Sequence, residues 1–239
     1  NNFYNSSLLI KVMKQNKIKK LLFSSSATIY GNPIYLPIDE KHVLKPINVY
    51  GKSKLMVENM LINECKNEDF KICSLRYFNP IGSHNNGEFG EDAVNNADNL
   101  IPQILNTIFN PREKLNVYGS NFQTSDGSAI RDYIHITDLI TGHLKALDKI
   151  NDNLDYKAYN LGTGKGTSVF EVIREFERIL NINIEQKICE KRHGDIAEYY
   201  CDPTKANTEL NWKCVKNLND MCNDSYLWRN KLNQLNFNE

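Results

Sequence analysis

The sequence predicts an α/β fold built on a parallel β-sheet, and three segments near its start favour this class. The apolar run Leu21–Phe23 is typical of a strand covered on both faces, as strands of parallel sheets are. Residues 50–65 are predicted to form a long helix, and residues 70–77 the next strand. A strand, a helix and a second strand at this spacing are typical of a βαβ unit, whose two strands are parallel.

The remaining elements follow in order along the chain. A helix over residues 6–15 begins at a serine, and a strand over residues 17–23 comes directly after it. A glycine and three prolines mark residues 31–48 as a loop. Together with the polar residues 81–98, the later elements predict a second, smaller α/β lobe. These are helices at 100–109, 137–150, 168–180 and 218–232, and short strands at 115–118, 131–136 and 159–161.

The composition is that of a globular protein and argues against several functional classes. With 239 residues, 41% hydrophobic and 24% charged, the chain is long enough for a large domain with a smaller lobe. Its 29 basic and 29 acidic residues balance, and no basic stripe indicates nucleic acid. No apolar run is long enough to cross a membrane and no signal peptide is recognisable, which predicts the cytoplasm.

The cysteines are predicted to be reduced thiols in a reducing compartment, because none of them forms a C-x-x-C pair. They are Cys65, Cys73, Cys189, Cys201, Cys214 and Cys222. Cys189 and His193 lie four residues apart, but no second pair of ligands accompanies them. No metal site is therefore predicted.

Tyr50 and Lys54 form the most informative chemical pattern in the chain. At a spacing of four they lie on one face of the predicted helix, which brings an ammonium beside a phenol. A neighbouring cation lowers the pKa of a phenol from about 10, which suits a base that takes a proton from an alcohol. Ser24–Ser26 follow the predicted strand, where a hydroxyl is placed to bridge the phenol and a substrate oxygen. Taken alone, the pair also fits a solvated helix face with a half-buried ring.

The glycine-rich segment Gly162–Gly166 lies between a predicted strand and a predicted helix. Its pattern is G-x-G-x-G, whereas dinucleotide-binding turns carry G-x-G-x-x-G after their first strand. A turn that leads into the helix at Ser168 is therefore favoured over a phosphate-binding loop.

A joint pattern runs through nine segments, which are Phe23–Gly31, Tyr50–Glu58, Leu75–Pro80, Gly90–Asp92, Asp126–Gly127, Arg131–His135, Tyr159–Gly162, Arg192–Asp195 and Glu209–Trp212. In this order and spacing they resemble the extended short-chain dehydrogenase/reductase family, most closely its members that epimerise nucleotide sugars. The resemblance covers essentially the whole chain and roughly the last 70% of the usual enzyme. It implies a Rossmann-like parallel sheet, with the N-terminal strands missing, and a smaller α/β substrate-binding lobe.

The resemblance also implies a division of the chain. Residues 1–80 are expected to form the remainder of an NAD-binding Rossmann domain, with residues 131–150 packing back on it. Residues 81–239 are expected to form mainly a lobe that binds a UDP-sugar. The family's first nucleotide-binding half, with its glycine turn, has no counterpart in this sequence.

Roles for particular residues follow from the same resemblance. Tyr50 would be the catalytic base, with Lys54 as its partner and Ser26 hydrogen-bonded to the reacting hydroxyl. The residues expected to contact NAD are Asn1, Ser26, Tyr50, Lys54 and Phe78. Those expected to bind the UDP-sugar are Asn79, Asn99, Tyr118, Arg131, Arg192 and Tyr199. The two arginines suit a diphosphate, because a guanidinium engages phosphate oxygens in pairs.

Both arginines also have a simpler interpretation from the residues alone. Arg131 is a candidate for an ion pair with Asp132 or Asp126. Arg192 is a candidate for a surface charge beside Asp195. The joint pattern favours the binding site.

The activity that the resemblance implies is the interconversion of UDP-glucose and UDP-galactose, a step of galactose metabolism. C4 of the hexose would pass a hydride to bound NAD and its hydroxyl proton to Tyr50, and the keto sugar would take the hydride back on its other face. A dehydratase or decarboxylase of the family is disfavoured, because Ala27 and Thr28 stand where those enzymes carry an acidic residue. A truncated, non-catalytic remnant that binds nucleotide sugar stays open as the alternative.

Two further expectations rest on the resemblance. A homodimer through helices 6–15 and 50–65 is expected, with a UDP-hexose as the substrate and neither nucleic acid nor membrane as a partner. The bulky ring of Tyr199 leaves little room for an N-acetyl group, so the plain hexose is the expected substrate.

Overall fold

The computed structural model describes residues 2–91, 99–110, 112–150 and 155–236. It confirms the predicted α/β class, because parallel strands and helices follow one another along the chain. The helices are α1 Asn2–Gln15, α2 Val49–Glu68, α3 Leu100–Phe109, α4 Ile136–Ile150, α5 Val169–Leu180, α6 Thr204–Glu209 and α7 Leu218–Asn236. The strands are β1 Lys20–Ser26, β2 Lys71–Tyr77, β3 Asn79–Ile81, β4 Leu115–Tyr118, β5 Ile130–His135, β6 Tyr156–Leu161, β7 Gly166–Ser168, β8 Gln186–Cys189 and β9 Glu198–Tyr199. Among these residues, no helix has both the length and the apolar composition of a membrane span.

The first compact unit comprises the chain up to Phe78, together with Leu139–Gly164 and Cys201–Lys213. Its sheet has the strand order β1-β2-β6, and both pairs are parallel. The three serines lie inside β1 rather than after it, because the extended backbone continues through them alongside β2. Ser26 and Tyr77 are therefore partners in register at the carboxyl end of the sheet.

Helices cover both faces of this sheet. On one face, α2 packs Leu61 against Ile72 of β2, and both side chains are buried. On the other face, Gly142 of α4 comes so close to Leu161 of β6 that a Cβ would lie 3.1 Å from the leucine side chain. Leu161 is the register partner of Tyr77, which is an odd number of residues from Ile72 and so points to the opposite face. Two helical layers around a parallel sheet are the predicted Rossmann-like arrangement.

A buried ion pair joins α2 to β2. Arg76 donates from Nε and Nη2 to the two carboxylate oxygens of Glu58, at 3.2 and 2.7 Å, and from Nη1 to the Tyr30 hydroxyl at 2.9 Å. That hydroxyl donates in turn to Asn160 Oδ1 on β6, 2.7 Å away. Burial acts to lower the pKa of Arg76, but its contacts with Glu58 and Tyr30 together outweigh burial and raise that pKa above its ordinary value. The network ties α2 to two strands of the sheet.

The second compact unit comprises Asn79–Asp138, Lys165–Tyr200 and the chain from Cys214 onward. Its larger sheet centres on β5, which pairs in parallel with β3 and β9 and antiparallel with β7. Strands β4 and β8 form a separate parallel pair. A buried apolar cluster joins α3, α5 and α7 to β4 and β5, and its members include Ile104, Leu115, Tyr133, Phe176 and Met221.

The structure divides the chain differently from the prediction at residues 131–138. These residues belong to the second unit, because β5 pairs there with three other strands. Residues 139–150 lie in the first unit, together with Cys201–Lys213. The names of the two units as cofactor-binding and UDP-sugar-binding stay predictions.

Five elements were not predicted from the sequence, namely β3, β7, β8, β9 and α6. Each is two to six residues long, which is too short for a hydrophobic period to show. Gly166, the last residue of the glycine-rich segment that is predicted as a turn, is the first residue of β7. The helix after it begins as predicted, with the Ser168 hydroxyl capping the N–H of Glu171 at 3.0 Å.

Replacing Glu58 by alanine is expected to lower the free energy of unfolding by about 3–5 kcal/mol, because the buried Arg76 guanidinium loses its counter-charge. Chemical denaturation followed by circular dichroism measures the change. The control is Glu185→Ala, which removes the exposed partner of Lys114, 3.0 Å away, and is expected to change stability little. Equal losses in the two variants would contradict the importance of burial for the first pair.

Candidate active site

The first turn of α2 places Tyr50 beside the end of β1. Asn48 caps the helix, and its side-chain oxygen accepts from the Gly51 N–H at 2.7 Å. A Cβ on Gly51 would lie 2.6 Å from the carbonyl oxygen of Thr28, so the missing side chain permits the close approach. The Tyr50 side chain, on the same turn, is 50% exposed. The helix therefore presents this phenol to solvent at the carboxyl edge of the sheet.

Lys54 lies one turn further along α2 and joins the helix to β1. Its ammonium donates to the carbonyl oxygen of Ser24 at 2.8 Å. The same nitrogen lies 5.6 Å from the centre of the Tyr50 ring and 5.1 Å from that of Phe23. Burial lowers the pKa of Lys54. The structure brings the two predicted side chains together, while their catalytic roles stay predictions.

The hydroxyl of Ser26 caps the 3-10 turn that follows β1. Its Oγ accepts from the Thr28 N–H at 3.2 Å and from the Thr28 hydroxyl at 2.9 Å. Both contacts use Ser26 as an acceptor, so its own O–H remains a donor for a substrate oxygen. Phe78 follows β2 and is 7% exposed, and its N–H donates to the Leu161 carbonyl at 3.2 Å. Asn1, predicted to contact the cofactor, lies outside the described residues.

Tyr77 and His143, which the sequence does not single out as functional, meet Ser24 at the same edge. The Tyr77 hydroxyl lies 2.8 Å from Ser24 Oγ and 2.5 Å from Nε2 of His143 on α4. Burial raises the pKa of Tyr77, the contact with Ser24 acts against this rise, and Tyr50 adds to it. The place of Tyr77 at the carboxyl end of a predicted strand is a usable signal, whereas nothing local points to His143.

In the second unit, Arg131 of β5 and Tyr199 of β9 are partners in the parallel register. Arg131 donates from Nη1 to the Ile130 carbonyl at 2.8 Å. Burial lowers the pKa of Arg131, and Tyr133, Asp195 and Tyr199 act in the opposite direction. Burial also raises the pKa of Tyr199, which is 8% exposed. A partly buried guanidinium of this kind suits an anionic group of a ligand.

Arg192 stacks on Tyr118, with its guanidinium carbon 4.0 Å from the centre of the ring. Its backbone N–H, rather than its side chain, donates to the Asp195 carboxylate at 3.0 Å. Asp126, an alternative partner for Arg131, accepts from the Ser128 hydroxyl at 2.7 Å. The structure thus places each predicted arginine next to a predicted aromatic residue.

The two predicted asparagines have different surroundings. Asn79 begins β3, and its Nδ2 donates to the Asp132 carbonyl of β5 at 2.8 Å. Asn99 is exposed at the N-cap position of α3, where its side chain makes no capping hydrogen bond. Asn79 is therefore held in place by the sheet, whereas no capping bond fixes the side chain of Asn99.

The parallel sheet with helices on both faces defines an α/β protein of the Rossmann-like class. Residues 1–162 match the NAD dependent epimerase/dehydratase family over more than half of the chain. The chain belongs to that family.

Individual relatives agree with this assignment. The UDP-glucose 4-epimerase of Pasteurella multocida (strain Pm70) is 44% identical over 233 residues, which cover 97% of this chain and 69% of that protein. The crystal structure of UDP-glucose-4-epimerase from Stenotrophomonas maltophila, with bound NAD and formylated UDP-arabinopyranose, has a TM-score of 0.95 at 36% identity over 98% of this chain and 70% of its own. That of UDP-glucose 4-epimerase from Bifidobacterium longum, in complex with NAD+ and UDP, has a TM-score of 0.91 at 42% identity over 97% and 69%. The predicted resemblance is confirmed.

Replacing Gly51 by alanine is expected to displace the first turn of α2 and to lower the free energy of unfolding by about 1–3 kcal/mol, because the added methyl group meets the Thr28 carbonyl. Chemical denaturation measures the loss. Lys52→Ala, at an exposed position of the same turn, serves as the control and is expected to leave stability nearly unchanged. If the two variants are equally stable, the close approach at Gly51 does not constrain the helix.

Proposed function

We propose that this chain acts as a UDP-glucose 4-epimerase, which interconverts UDP-glucose and UDP-galactose by reversible NAD-mediated oxidation at C4 of the hexose. The observation that carries the proposal is the Lys54 ammonium, held 2.8 Å from the Ser24 carbonyl oxygen and 5.6 Å from the centre of the Tyr50 ring. It supports Tyr50 as the base. The similarity to a protein named UDP-glucose 4-epimerase, over 97% of the chain, supports the choice of substrate and a place in galactose metabolism.

In the proposed reaction, Tyr50 takes the proton of the C4 hydroxyl, with the Lys54 ammonium 5.6 Å from the centre of its ring. Ser26 donates its O–H to the reacting oxygen. Bound NAD supplies a reversible hydride acceptor. With the hydride returned to the opposite face of the same carbon, Tyr50 would give its proton back to the C4 oxygen, so that electrons and protons would balance within one turnover.

The residues at the carboxyl edge of the first sheet fit such a cofactor. Ligands of parallel α/β sheets bind at this edge. An ammonium carries three N–H donors, so Lys54 keeps donors for ribose hydroxyls beside its bond to Ser24. Phe78, directly after β2, supplies an aromatic ring for the nicotinamide, and Asn1 stays part of the proposed cofactor site. These residues support the proposal that the first unit binds the cofactor.

The second unit is proposed to bind the UDP-sugar. Arg131 and Arg192 are assigned to the diphosphate, because guanidinium forks match phosphate oxygens. Asn79, Asn99 and Tyr118 are assigned to the remaining polar groups of the nucleotide sugar. The burial that lowers the pKa of Arg131 supports this assignment, because a bound anion offsets the cost of a partly buried cation.

Two alternatives are weaker. A dehydratase or decarboxylase needs an acidic group after the catalytic serine, and neither Ala27, which is 4% exposed, nor Thr28, whose hydroxyl donates to Ser26, is one. A non-catalytic nucleotide-sugar-binding remnant is consistent with a chain that spans 69% of the Pasteurella multocida protein. Turnover by the chain itself separates these functions.

The proposal extends to assembly and location. Helix α1 exposes Leu8, Leu9 and Val12 to 44, 50 and 51%, an apolar surface that supports the proposed homodimer through α1 and α2. All six cysteines are thiols rather than disulfides, which supports a reducing cytoplasm.

The test is the conversion of UDP-galactose to UDP-glucose by the purified chain with NAD, compared with its Tyr50→Phe variant. Removing the phenol oxygen is expected to lower kcat by about 10²–10⁴-fold, because it removes the base. Binding of UDP-glucose, measured by calorimetry, is expected to be unchanged. Tyr4→Phe, which removes a hydroxyl from a side chain 65% exposed on α1, is the matched control and is expected to keep the wild-type rate.

Each alternative has its own signature in this assay. A Tyr50→Phe variant as fast as wild type would exclude Tyr50 as the base. Binding of UDP-glucose by the wild type without any conversion would favour the non-catalytic remnant. Release of a dehydrated or decarboxylated sugar would favour the related activities.

UDP-N-acetylglucosamine is expected to be turned over about 10–200-fold less efficiently than UDP-glucose, as kcat/KM, because the bulky ring of Tyr199 is proposed to leave little room for the acetyl group. Tyr199→Ser is expected to reduce the ratio of kcat/KM for UDP-glucose to kcat/KM for UDP-N-acetylglucosamine. Tyr35→Ser, at a side chain 44% exposed in the first unit, is the control and is expected to leave it unchanged. Efficient turnover of the N-acetyl sugar by the wild type would contradict the assignment of Tyr199.

A further inference from the structure

A chain of hydrogen bonds at the carboxyl edge of the first sheet connects four elements. The Tyr77 hydroxyl, at the end of β2, contacts Nε2 of His143 on α4 at 2.5 Å and Oγ of Ser24 on β1 at 2.8 Å. The carbonyl of the same serine accepts from the ammonium of Lys54 on α2 at 2.8 Å. These hydrogen bonds therefore connect His143, which has no part in the proposed reaction, to Lys54, which has one.

The direction of these hydrogen bonds follows from His143. Its Nδ1 lies 2.8 Å from the Leu139 carbonyl on the preceding turn of α4, and a carbonyl only accepts. In the neutral imidazole, Nδ1 therefore carries the proton and Nε2 is an acceptor. The Tyr77 hydroxyl donates its single proton to Nε2, and the Ser24 hydroxyl then donates to the Tyr77 oxygen. The Tyr77 hydroxyl is therefore held in one orientation by a donor and an acceptor.

Ser24 is the residue at which contacts from the two faces of the sheet meet. Along β1, Ser24 and Ser26 share a face, and Ser26 is the register partner of Tyr77. The Ser24 hydroxyl therefore lies on the face that α4 covers, whereas its carbonyl receives Lys54 from the α2 side. A bond to the side chain restricts the backbone of this residue, and with it the direction of the carbonyl.

We propose that His143 is a positioning residue, which orients the Ser24 carbonyl through Tyr77 and thereby anchors the Lys54 ammonium beside Tyr50. His143 acts through two intermediates and touches none of the reacting atoms. Its effect on turnover rests on the proposed function, in which Lys54 supports Tyr50. Its effect on Lys54 does not, because that effect is a property of the folded chain alone.

The competing interpretation is simple packing, since the rings of Tyr77 and His143 lie 5.3 Å apart at 49°. Two conservative variants separate the interpretations. His143→Gln keeps an acceptor at the reach of Nε2, whereas His143→Asn keeps a donor near Nδ1 for the Leu139 carbonyl and loses the acceptor for Tyr77. If packing alone mattered, the loss of the acceptor for Tyr77 would have no effect of its own, and the two variants would behave alike.

The experiment measures the rate at which trace acetic anhydride acylates Lys54 over a range of pH, by peptide mass spectrometry, in the purified chain. His143→Asn and Tyr77→Phe are expected to raise this rate by about 2–10-fold, the equivalent of one lost hydrogen bond, because the amine leaves its carbonyl. His143→Gln is expected to stay near the wild-type rate. His84→Asn, the same substitution at an exposed histidine, is the control and is expected to have no effect.

The proposal would be overturned if Lys54 were acylated at the wild-type rate in both His143→Asn and Tyr77→Phe. Equal acylation rates in His143→Gln and His143→Asn would also overturn it. Thermal melts identify a variant that fails to fold. If His143→Asn fails to fold, the labelling rate of Tyr77→Phe, which keeps its aromatic ring, tests the proposal. In the Tyr77→Phe background, His143→Asn is expected to add nothing, and additive effects would also overturn the proposal. A wild-type protein without epimerase activity would refute the proposed function but leave the labelling result intact. If the wild type is active, His143→Asn is expected to have a lower kcat and an unchanged KM.

Discussion

The candidate site depends on one contact, in which a backbone carbonyl at the end of β1 holds the ammonium of Lys54 beside the Tyr50 ring. A half-buried ammonium needs an acceptor, because an unpaired one is costly. A carboxylate would meet that need but would cancel the charge. A carbonyl dipole orients the cation and leaves its net charge to act on a phenolate. The position of the charge is then set by the backbone of β1 at Ser24 rather than by a second charged side chain.

A carbonyl can act in this way only if the helix that brings the lysine is itself fixed. Helix α2 is fixed on both sides of Lys54. Before it, Gly51 closely approaches Thr28. After it, Glu58 accepts a buried hydrogen bond from Arg76. Buried ion pairs contribute little net stability, but their directional bonds penalise a rotated or shifted helix. The ion pair is therefore best understood as setting the axial position of α2.

The sequence predicts what is local and misses what depends on distant contacts. Tyr50 and Lys54 are recognisable because four residues make nearly one helical turn. The βαβ unit is recognisable because a long helix separates two strand-like segments, the first of which contains the apolar run Leu21–Phe23. His143 and Tyr77 are 66 residues apart, and they meet only because α4 covers a particular face of the sheet. Likewise β9 has two residues and exists only through its pairing with β5, so the contact between Arg131 and Tyr199 has no local signal.

The same reasoning explains how binding and chemistry can be divided between residues. Burial lowers the pKa of Arg131, so its charged form is disfavoured unless an anion compensates it. A diphosphate offsets that cost, and binding energy is then drawn from the nucleotide rather than from the hexose. An epimerase at C4 must offer both faces of one carbon to a single hydride site, which a tightly held sugar could not do. Strong contacts to the diphosphate and few to the sugar are therefore what the proposed reaction requires, and the proposal assigns the first of these contacts to the partly buried Arg131.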